Sequence, residues 1–319
     1  MYKYLYHSRI SLCLLLSFCS LLSLSKPVFA DDPVTLLKLD WSSQQVLSHI
    51  AGELLTEKGI AVDYIQARAN GQWFLLSSGS ADVQMEVWEG SMAKQFERQV
   101  QQGRVVDAGD HNTITREEWW FPAYVTQLCP GLPNWQALNA CASLFATPDS
   151  DGKGVYYTGP WEKPDRARIH ALNLNYTVIE LKDGPAINQV LTQAIAKQQP
   201  ILIFNWTPNW VEVIHEGAFV EFPPYDPACE SDPGWGINNQ YPWDCGNPSG
   251  GWLKKAISAQ LPKKSPCAAK LIKAMVFTNQ DIAEITLQVD INNLSVEAAA
   301  KHWLENNDDR KTQWLTLCD

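Results

Sequence analysis

Short apolar segments alternate with helical segments along most of the chain, and this alternation restricts the fold more than any other feature. The first apolar segment, 35–40, precedes a segment with apolar residues at helical spacing from Val46 to Leu55, and Gly59 follows it. Further predicted strands cover 62–66, 82–88 and 104–108. Repeated strand–helix–strand units predict an α/β protein whose parallel sheets are covered by helices on both faces.

The second half of the chain repeats the alternation and adds an irregular stretch. Helices are predicted over 135–146 and 185–198, and strands over 154–158, 176–181 and 200–206. Residues 222–251 are dense in Pro, Gly, Cys and Trp, which indicates a disulfide-stapled loop rather than disorder. The chain closes with predicted helices over 267–277, 281–289, 296–306 and 309–317. We therefore predict two α/β lobes with a crevice between them.

The first thirty residues have the pattern of a secretory signal peptide. Lys3 and Arg9 give a positive start, an apolar run covers 10–24, and Val28 and Ala30 place small residues before a cleavage site. No later stretch reaches the roughly 18 to 20 apolar residues of a membrane helix. We predict cleavage after residue 30 and a soluble, exported mature protein. Cleavage changes the formal charge from −10 to −13, which leaves no basic stripe for nucleic acid.

Six cysteines remain after cleavage, and an even number in an oxidising compartment predicts three disulfides. Fifteen pairings are possible. We take neighbour pairing as the working expectation: Cys129–Cys141, Cys229–Cys245 and Cys267–Cys318. The cysteines and histidines do not have metal-ligand spacing, so no metal site is predicted. Residues 149–152 resemble part of a calcium loop, but the distal Glu is absent and a polar turn is expected.

Fourteen tryptophans occur in the chain, all beyond residue 30, and several lie where a strand should end. Trp41, Trp88 and Trp206 follow or close predicted strands. Open α/β sheets bind ligands in the crevice at the carboxyl ends of their strands. Several indoles facing one crevice are typical of an aromatic cage for a methylated ammonium ion.

Five segments, in this order, carry a resemblance to a known family: LKLDWSS, ADVQMEVWEG, WWFPAYV followed by PGLPNWQALN, IFNWTPNW, and AAKHWLENNDDRKTQWL. Together they resemble the periplasmic substrate-binding proteins of ABC importers for glycine betaine, choline and related compounds. Within that family, QLCPGLP and PPYDPACESDPGWGINNQYPWDC look most like the branch that binds trimethylamine N-oxide. The resemblance extends over residues 34–317.

The resemblance implies a type II periplasmic binding protein in which two lobes are joined by two crossovers. Lobe I would comprise residues 31–112 and 222–319, and lobe II residues 113–221. Such a protein is not an enzyme, has no cofactor, is expected to be a monomer, and delivers a trimethylated amine to an ABC permease. Trimethylamine N-oxide or glycine betaine is the expected solute, ahead of choline or carnitine.

The resemblance also implies the site residues. Cage positions fall at Trp41, Trp88, Trp161 and Trp206, with Trp119 favoured over the adjacent Trp120, which should point to the opposite face. For each of these, packing in the core is the alternative interpretation.

Polar side chains near the cage candidates are the expected partners for the rest of the solute. Glu86 shares a strand face with Trp88 and is predicted to help hold the cation, and Glu117, Glu118 and Glu162 lie near other cage candidates. Ser43 is also predicted to contact the solute. It stands where choline-binding relatives have an acidic residue, which disfavours choline.

Two other functions stay open at this point. The same fold could bind an amino acid or a polyamine, although primary amines favour carboxylates and carbonyls over an indole box. An exported glycosidase-like enzyme is the second, because tryptophan-rich clefts also stack sugars and paired carboxylates can act as acid and base. The sequence contains neither a nucleophile elbow nor an HExxH motif, so no catalytic residue is predicted.

Overall fold

A computed structural model describes residues 32–161 and 163–318. The predicted signal peptide and Glu162 lie outside the described residues. None of the described helices is long and apolar enough to cross a bilayer.

The first sheet is built mainly from the amino-terminal part of the chain. Its strands and the helices between them run in the order β1 Val34–Lys38, α1 Ser42–Glu57, β2 Val62–Gln66, α2 Gln72–Ser78, β3 Val83–Trp88, α3 Glu89–Gln101 and β4 Val105–Asp110. Strand β1 is parallel to both β2 and β3, and every residue of β3 is buried. Two of these buried residues, Gln84 and Glu86, are polar, and both side chains are hydrogen-bonded.

The second sheet follows directly in the chain. Its elements are β5 Thr115–Pro122, α4 Val125–Leu128, β6 Pro130–Pro133, α5 Ala137–Ala140, β7 Gly154–Thr158, α6 Asp165–Ala171, β8 Tyr176–Glu180, α7 Gly184–Ala196, β9 Ile203–Thr207, α8 Val211–Ile214, β10 Gly217–Phe219 and β11 Ser249–Gly251. The spatial order is β10-β5-β9-β7-β8, and β11 also pairs with β5. Strands β7, β8 and β9 are parallel, whereas β5 is antiparallel to its neighbours.

The chain then returns to the first sheet and ends in helices. These elements are β12 Leu253–Ser258, α9 Leu261–Lys264, α10 Pro266–Ala274, α11 Asn279–Asp290, α12 Val296–Glu305 and α13 Asp308–Leu315. Strand β12 lies between β3 and β4 and is antiparallel to both. Helices α11 and α12 pack against α1. The first sheet is therefore mixed, and the expectation of parallel sheets was wrong because the returning strand enters in the reverse direction.

Disulfides join Cys129 to Cys141, Cys229 to Cys245 and Cys267 to Cys318. The first disulfide lies where the structure departs from the helix predicted over 135–146. Instead of one helix over 135–146, the structure has α5 and a separate 3-10 turn over Ala142–Phe145. Cys141 lies at the break, with a backbone conformation outside the helical region, and its side chain is bonded to Cys129.

The two sheets are connected by two passages of the chain, one between β4 and β5 and one between β11 and β12. These passages have the arrangement that a two-lobe protein with two crossovers requires. Strand β11 pairs with the second sheet although it falls within residues 222–319, which the sequence assigned to lobe I. The lobe boundaries stay a prediction.

Candidate functional site

A cavity with mostly aromatic walls lies between the two sheets. It is lined by Trp41, Trp88, Ser91, Met92, Glu117, Trp161, Phe204 and Trp206. The first two tryptophans come from the β1 and β3 side, whereas Phe204 and Trp206 come from β9. Four of the predicted cage residues therefore meet at one place, although they are far apart in the chain.

The local structure explains why these indoles reach the cavity. Trp41 lies just before α1 and Trp88 ends β3 just before α3, and both have extended backbone at the helix start. The chain turns from strand to helix there, which places their side chains at the carboxyl edge of the sheet. On the other side of the cavity, Trp206 in β9 is the direct cross-strand partner of Glu117 in β5.

Trp161 meets the indoles of Trp41 and Trp206 at steep angles rather than in a flat stack. The Trp161 ring centroid is 6.4 Å from that of Trp41 at an interplanar angle of 84°, and 5.6 Å from that of Trp206 at 78°. The Phe204 ring is 5.4 Å from Trp161 and 5.7 Å from Trp206. Trp161 is thus the central aromatic wall, and near-perpendicular rings present faces to one small volume from several directions.

Glu86 lies behind the indoles instead of in the cavity wall. Its Oε2 accepts hydrogen bonds from Trp41 Nε1 at 2.5 Å, from Ser43 Oγ at 2.9 Å and from Trp88 Nε1 at 3.2 Å. Burial raises the pKa of Glu86 to about 7, although these three hydrogen bonds oppose the shift. The structure therefore places Glu86 against the cage residues Trp41 and Trp88, and Ser43 against Glu86.

Glu117 supplies the carboxylate of the cavity wall. Its Oε1 accepts a hydrogen bond from Lys163 Nζ at 2.7 Å, and both side chains are almost fully buried. Lys163 Nζ also lies 4.6 Å from the centroid of the Phe204 ring. Glu117 Oε2 is buried and has no hydrogen-bond partner among the described residues. Sequence reasoning placed Glu117 near the cage only by proximity, and it missed Lys163, Phe204 and Met92.

The structure does not bring Trp119 to the cavity, so its predicted place there was wrong. Its ring stacks on Tyr156 with centroids 4.0 Å apart, and its Nε1 donates to Asp165 at 2.8 Å. The side chain is fully buried in the larger core, whereas Trp120 is buried in a separate cluster with Ile187 and Trp210. The two indoles point in opposite directions, as strand alternation requires, but both serve packing.

The calcium-like segment 149–152 forms a turn. Ser150 Oγ donates to the Lys153 carbonyl at 2.6 Å and accepts from the Thr147 amide at 3.0 Å. Within residues 32–161 and 163–318, no group of three or more His, Cys, Asp or Glu side chains has a metal-binding arrangement.

Comparison with known proteins agrees with this architecture. Residues 32–306 match the family of substrate-binding domains of ABC-type glycine betaine transport systems. The chain is 34% identical over 313 residues to the trimethylamine N-oxide-binding protein of Pelagibacter ubique (strain HTCC1062), an alignment covering 94% of this chain and 95% of that protein. These relatives are solute-binding proteins and not enzymes.

Two solved structures share the fold at low sequence identity. A choline-binding protein of an ABC transporter, in complex with choline, has a TM-score of 0.70 and 16% identity, covering 89% of this chain and 91% of that one. The lactococcal glycine betaine-binding domain OpuAC, closed around glycine betaine, has a TM-score of 0.64 and 18% identity, covering 89% and 100%. The chain therefore belongs to the family of substrate-binding domains of ABC-type glycine betaine transport systems.

Proposed function

We propose that this protein captures a trimethylated amine in the cavity between its sheets, with trimethylamine N-oxide as the preferred solute. The observation that carries the proposal is the set of steeply inclined indoles, Trp41, Trp161 and Trp206, which together with Trp88 surround one small volume. The 34% identical relative from Pelagibacter ubique, named for trimethylamine N-oxide binding, supports the same solute.

The aromatic walls suit a quaternary nitrogen because that group cannot donate hydrogen bonds and spreads its positive charge over its methyl groups. Each aromatic face is worth about 0.5–2 kcal/mol to such a cation, with the larger values where water is excluded. Trp41, Trp88 and Trp206 are buried, with only 3% of the Trp88 surface exposed, and Trp161 is partly buried. A box of this kind therefore stabilises the cation without an ion pair as its main partner.

The polar groups of the cavity include both an acceptor and donors, which suit a small solute with a positive nitrogen and a negative oxygen. Glu117 Oε2 is buried and unpaired among the described residues, so it favours a positive or hydrogen-donating group. The indole N–H groups of Trp161 and Trp206 are also buried and lack partners in the described part of the chain. They are donors that an N-oxide oxygen can accept from.

The family context extends the proposal to transport. We place the mature protein in the periplasm after signal-peptide cleavage, as a monomer that presents the loaded solute to an ABC permease. Lobe I comprises residues 31–112 and 222–319 and lobe II residues 113–221, and closure of the lobes brings the two sides of the cage together. In the structure the two sides already meet, with the ring centroids of Trp41 and Trp161 6.4 Å apart.

Isothermal titration calorimetry of the mature protein tests the proposal. The panel contains trimethylamine N-oxide, glycine betaine, choline and carnitine, with proline and putrescine representing amino acids and polyamines. We expect saturable binding of trimethylamine N-oxide, weaker binding of glycine betaine, and at least a tenfold loss in Trp206→Ala, which corresponds to about 1.4 kcal/mol.

Trp314→Phe is the matched control for that variant. It alters a buried indole that stacks on Trp303 in the carboxyl-terminal helices, away from the cavity, and should bind as wild type. Preferential binding of proline or putrescine, or unchanged affinity in Trp206→Ala, would reject the proposed function.

A further inference from the structure

The Glu86 carboxylate joins two walls of the cavity without itself lining it. Its side chain is fully buried, and a single oxygen, Oε2, accepts from Trp41, Ser43 and Trp88. Its second oxygen, Oε1, is buried and has no hydrogen-bond partner in the described residues. Burying a carboxylate with one unpaired oxygen and no cationic partner lowers stability. Residues that break such a local rule are often functional, which suggests that Glu86 has a role in the site.

The geometry shows what the carboxylate does to the cage. Trp41 precedes α1 and Trp88 precedes α3, so the two indoles belong to different strand-to-helix turns. Both indole N–H groups point at the same oxygen atom, which fixes the rotation of one ring relative to the other. Without an acceptor at this position, each N–H would be buried and unpaired, which favours other side-chain rotamers.

The charge of the carboxylate also acts on the solute. Hydrogen bonds to an ionised acceptor are stronger than those between neutral groups, and they polarise the donor. An indole that donates to a carboxylate therefore presents a more electron-rich face to a cation. The negative charge itself, buried in surroundings of low dielectric constant, attracts a positive group in the cavity more strongly than it would in water.

We propose that ionised Glu86 is a positioning residue of the solute site, which orients Trp41 and Trp88 through their indole N–H groups and makes the cage selective for a cation. This inference rests on the proposed function, because it assumes that the cavity binds a solute with a positive nitrogen. It assigns Glu86 no direct contact with the solute, in contrast to the expectation from the sequence.

The inference requires that affinity depend on pH. Among the described residues, the side chains that hydrogen-bond to the Glu86 carboxylate are those of Trp41, Ser43 and Trp88, and all three are uncharged. The ionisable groups of the facing wall, Glu117 and Lys163, form an ion pair with each other. Burial raises the pKa of Glu86 to about 7, and a bound cation favours the ionised form. Solute binding should therefore weaken as pH falls through that value.

The test measures dissociation constants from about pH 6 to pH 8.5 for trimethylamine N-oxide and for tetramethylammonium, a cation that does not titrate. We expect the wild type to bind both more weakly at the acidic end. Glu86→Gln should bind about tenfold more weakly than wild type at the alkaline end and show no change with pH. Ser43→Ala removes one donor to the ionised carboxylate, so its affinity should fall off at a higher pH than that of wild type.

Several outcomes decide between the claims. Wild-type affinity that is constant over this range, together with Glu86→Gln affinity within about twofold of wild type, overturns the inference while leaving the proposed function intact. Failure of the wild type to bind either probe overturns both. Since the wild-type profile and Ser43→Ala each report on Glu86, the inference stays testable even if Glu86→Gln does not fold.

Discussion

Trp161 offers the sharpest test of how the cavity is built, because its ring is central to the aromatic walls. We predict that Trp161→Ala weakens trimethylamine N-oxide binding by about ten- to a hundredfold while the protein stays folded. Trp161 is only partly buried and its indole N–H has no partner in the described residues, so its removal leaves no newly unpaired group. Stability should therefore change much less than affinity.

The magnitude follows from the contacts of the ring. Loss of one aromatic face removes about 0.5–2 kcal/mol of cation–π attraction. The neighbouring rings of Trp41, Trp206 and Phe204, at 5.4–6.4 Å, also lose the partner that fixes their angles. Such aromatic pairs contribute about 0.5–1.5 kcal/mol beyond buried area, of which only part is passed on to solute affinity. A total of about 1.4–2.8 kcal/mol corresponds to the predicted range.

Calorimetric titration of wild type, Trp161→Ala and Trp161→Phe with trimethylamine N-oxide measures the effect. The phenyl ring keeps an aromatic face of smaller area, so Trp161→Phe should bind with intermediate affinity. Circular dichroism and thermal unfolding establish that both variants are folded. If folded Trp161→Ala bound as tightly as wild type, the aromatic walls around this residue would not be the solute site.

Three further predictions concern stability and are measured by chemical denaturation. Arg168→Met should lower the free energy of unfolding by about 3–5 kcal/mol, because it leaves the buried Glu118 carboxylate, 2.6 Å from the guanidinium, without its partner; a loss below about 1 kcal/mol would contradict the assigned role. Replacing both Cys267 and Cys318 by Ser should destabilise by about 4 kcal/mol, since the bond closes a 51-residue separation, and an unchanged midpoint would refute this. Burial acts to raise the pKa of Asp281, but hydrogen bonds to its ionised form outweigh burial and hold the pKa below its ordinary value. The stability that ionised Asp281 contributes should therefore be lost as pH falls through the acid range. Asp281→Asn should remove this pH-dependent loss, and an unchanged acid transition in the variant would count against the assignment.

The strands and helices with strong local patterns were predictable from sequence. The strands over 62–66 and 154–158 have the predicted bounds, and the helix predicted over 185–198 is found as Gly184–Ala196. In this last case the chain carries its own start signal, since the Asp183 side chain accepts a hydrogen bond from the Ala186 amide. Such signals are local, so a single sequence contains them.

Features that depend on distant residues were not predictable. The antiparallel insertion of β12 between β3 and β4 pairs residues 144 to 174 positions apart, and no local pattern specifies it. The same holds for Trp119, whose strand position allowed either a cavity wall or a core contact. The choice depends on Tyr156 and Asp165 from other elements.

In the candidate site, too, some features follow from the local sequence and others depend on distant residues. The positions of Trp41, Trp88 and Trp206 at strand ends follow from the chain, and they line one cavity. Alternation placed Glu86 on the same face as Trp88. Whether that carboxylate meets the solute or the indole N–H groups depends on how α1 packs over the sheet, which alternation does not specify. Lys163 was missed because its partner Glu117 is 46 residues away.

The central claim is that a trimethylated nitrogen is held by the four indoles between the sheets. A crystal structure of the mature protein grown with trimethylamine N-oxide tests it most directly. The account predicts that the solute nitrogen lies within about 6 Å of the ring centroids of Trp41, Trp88, Trp161 and Trp206, with the oxygen bonded to a donor of the cavity. Solute density elsewhere on the protein, with the indole-lined cavity unchanged, would contradict the claim.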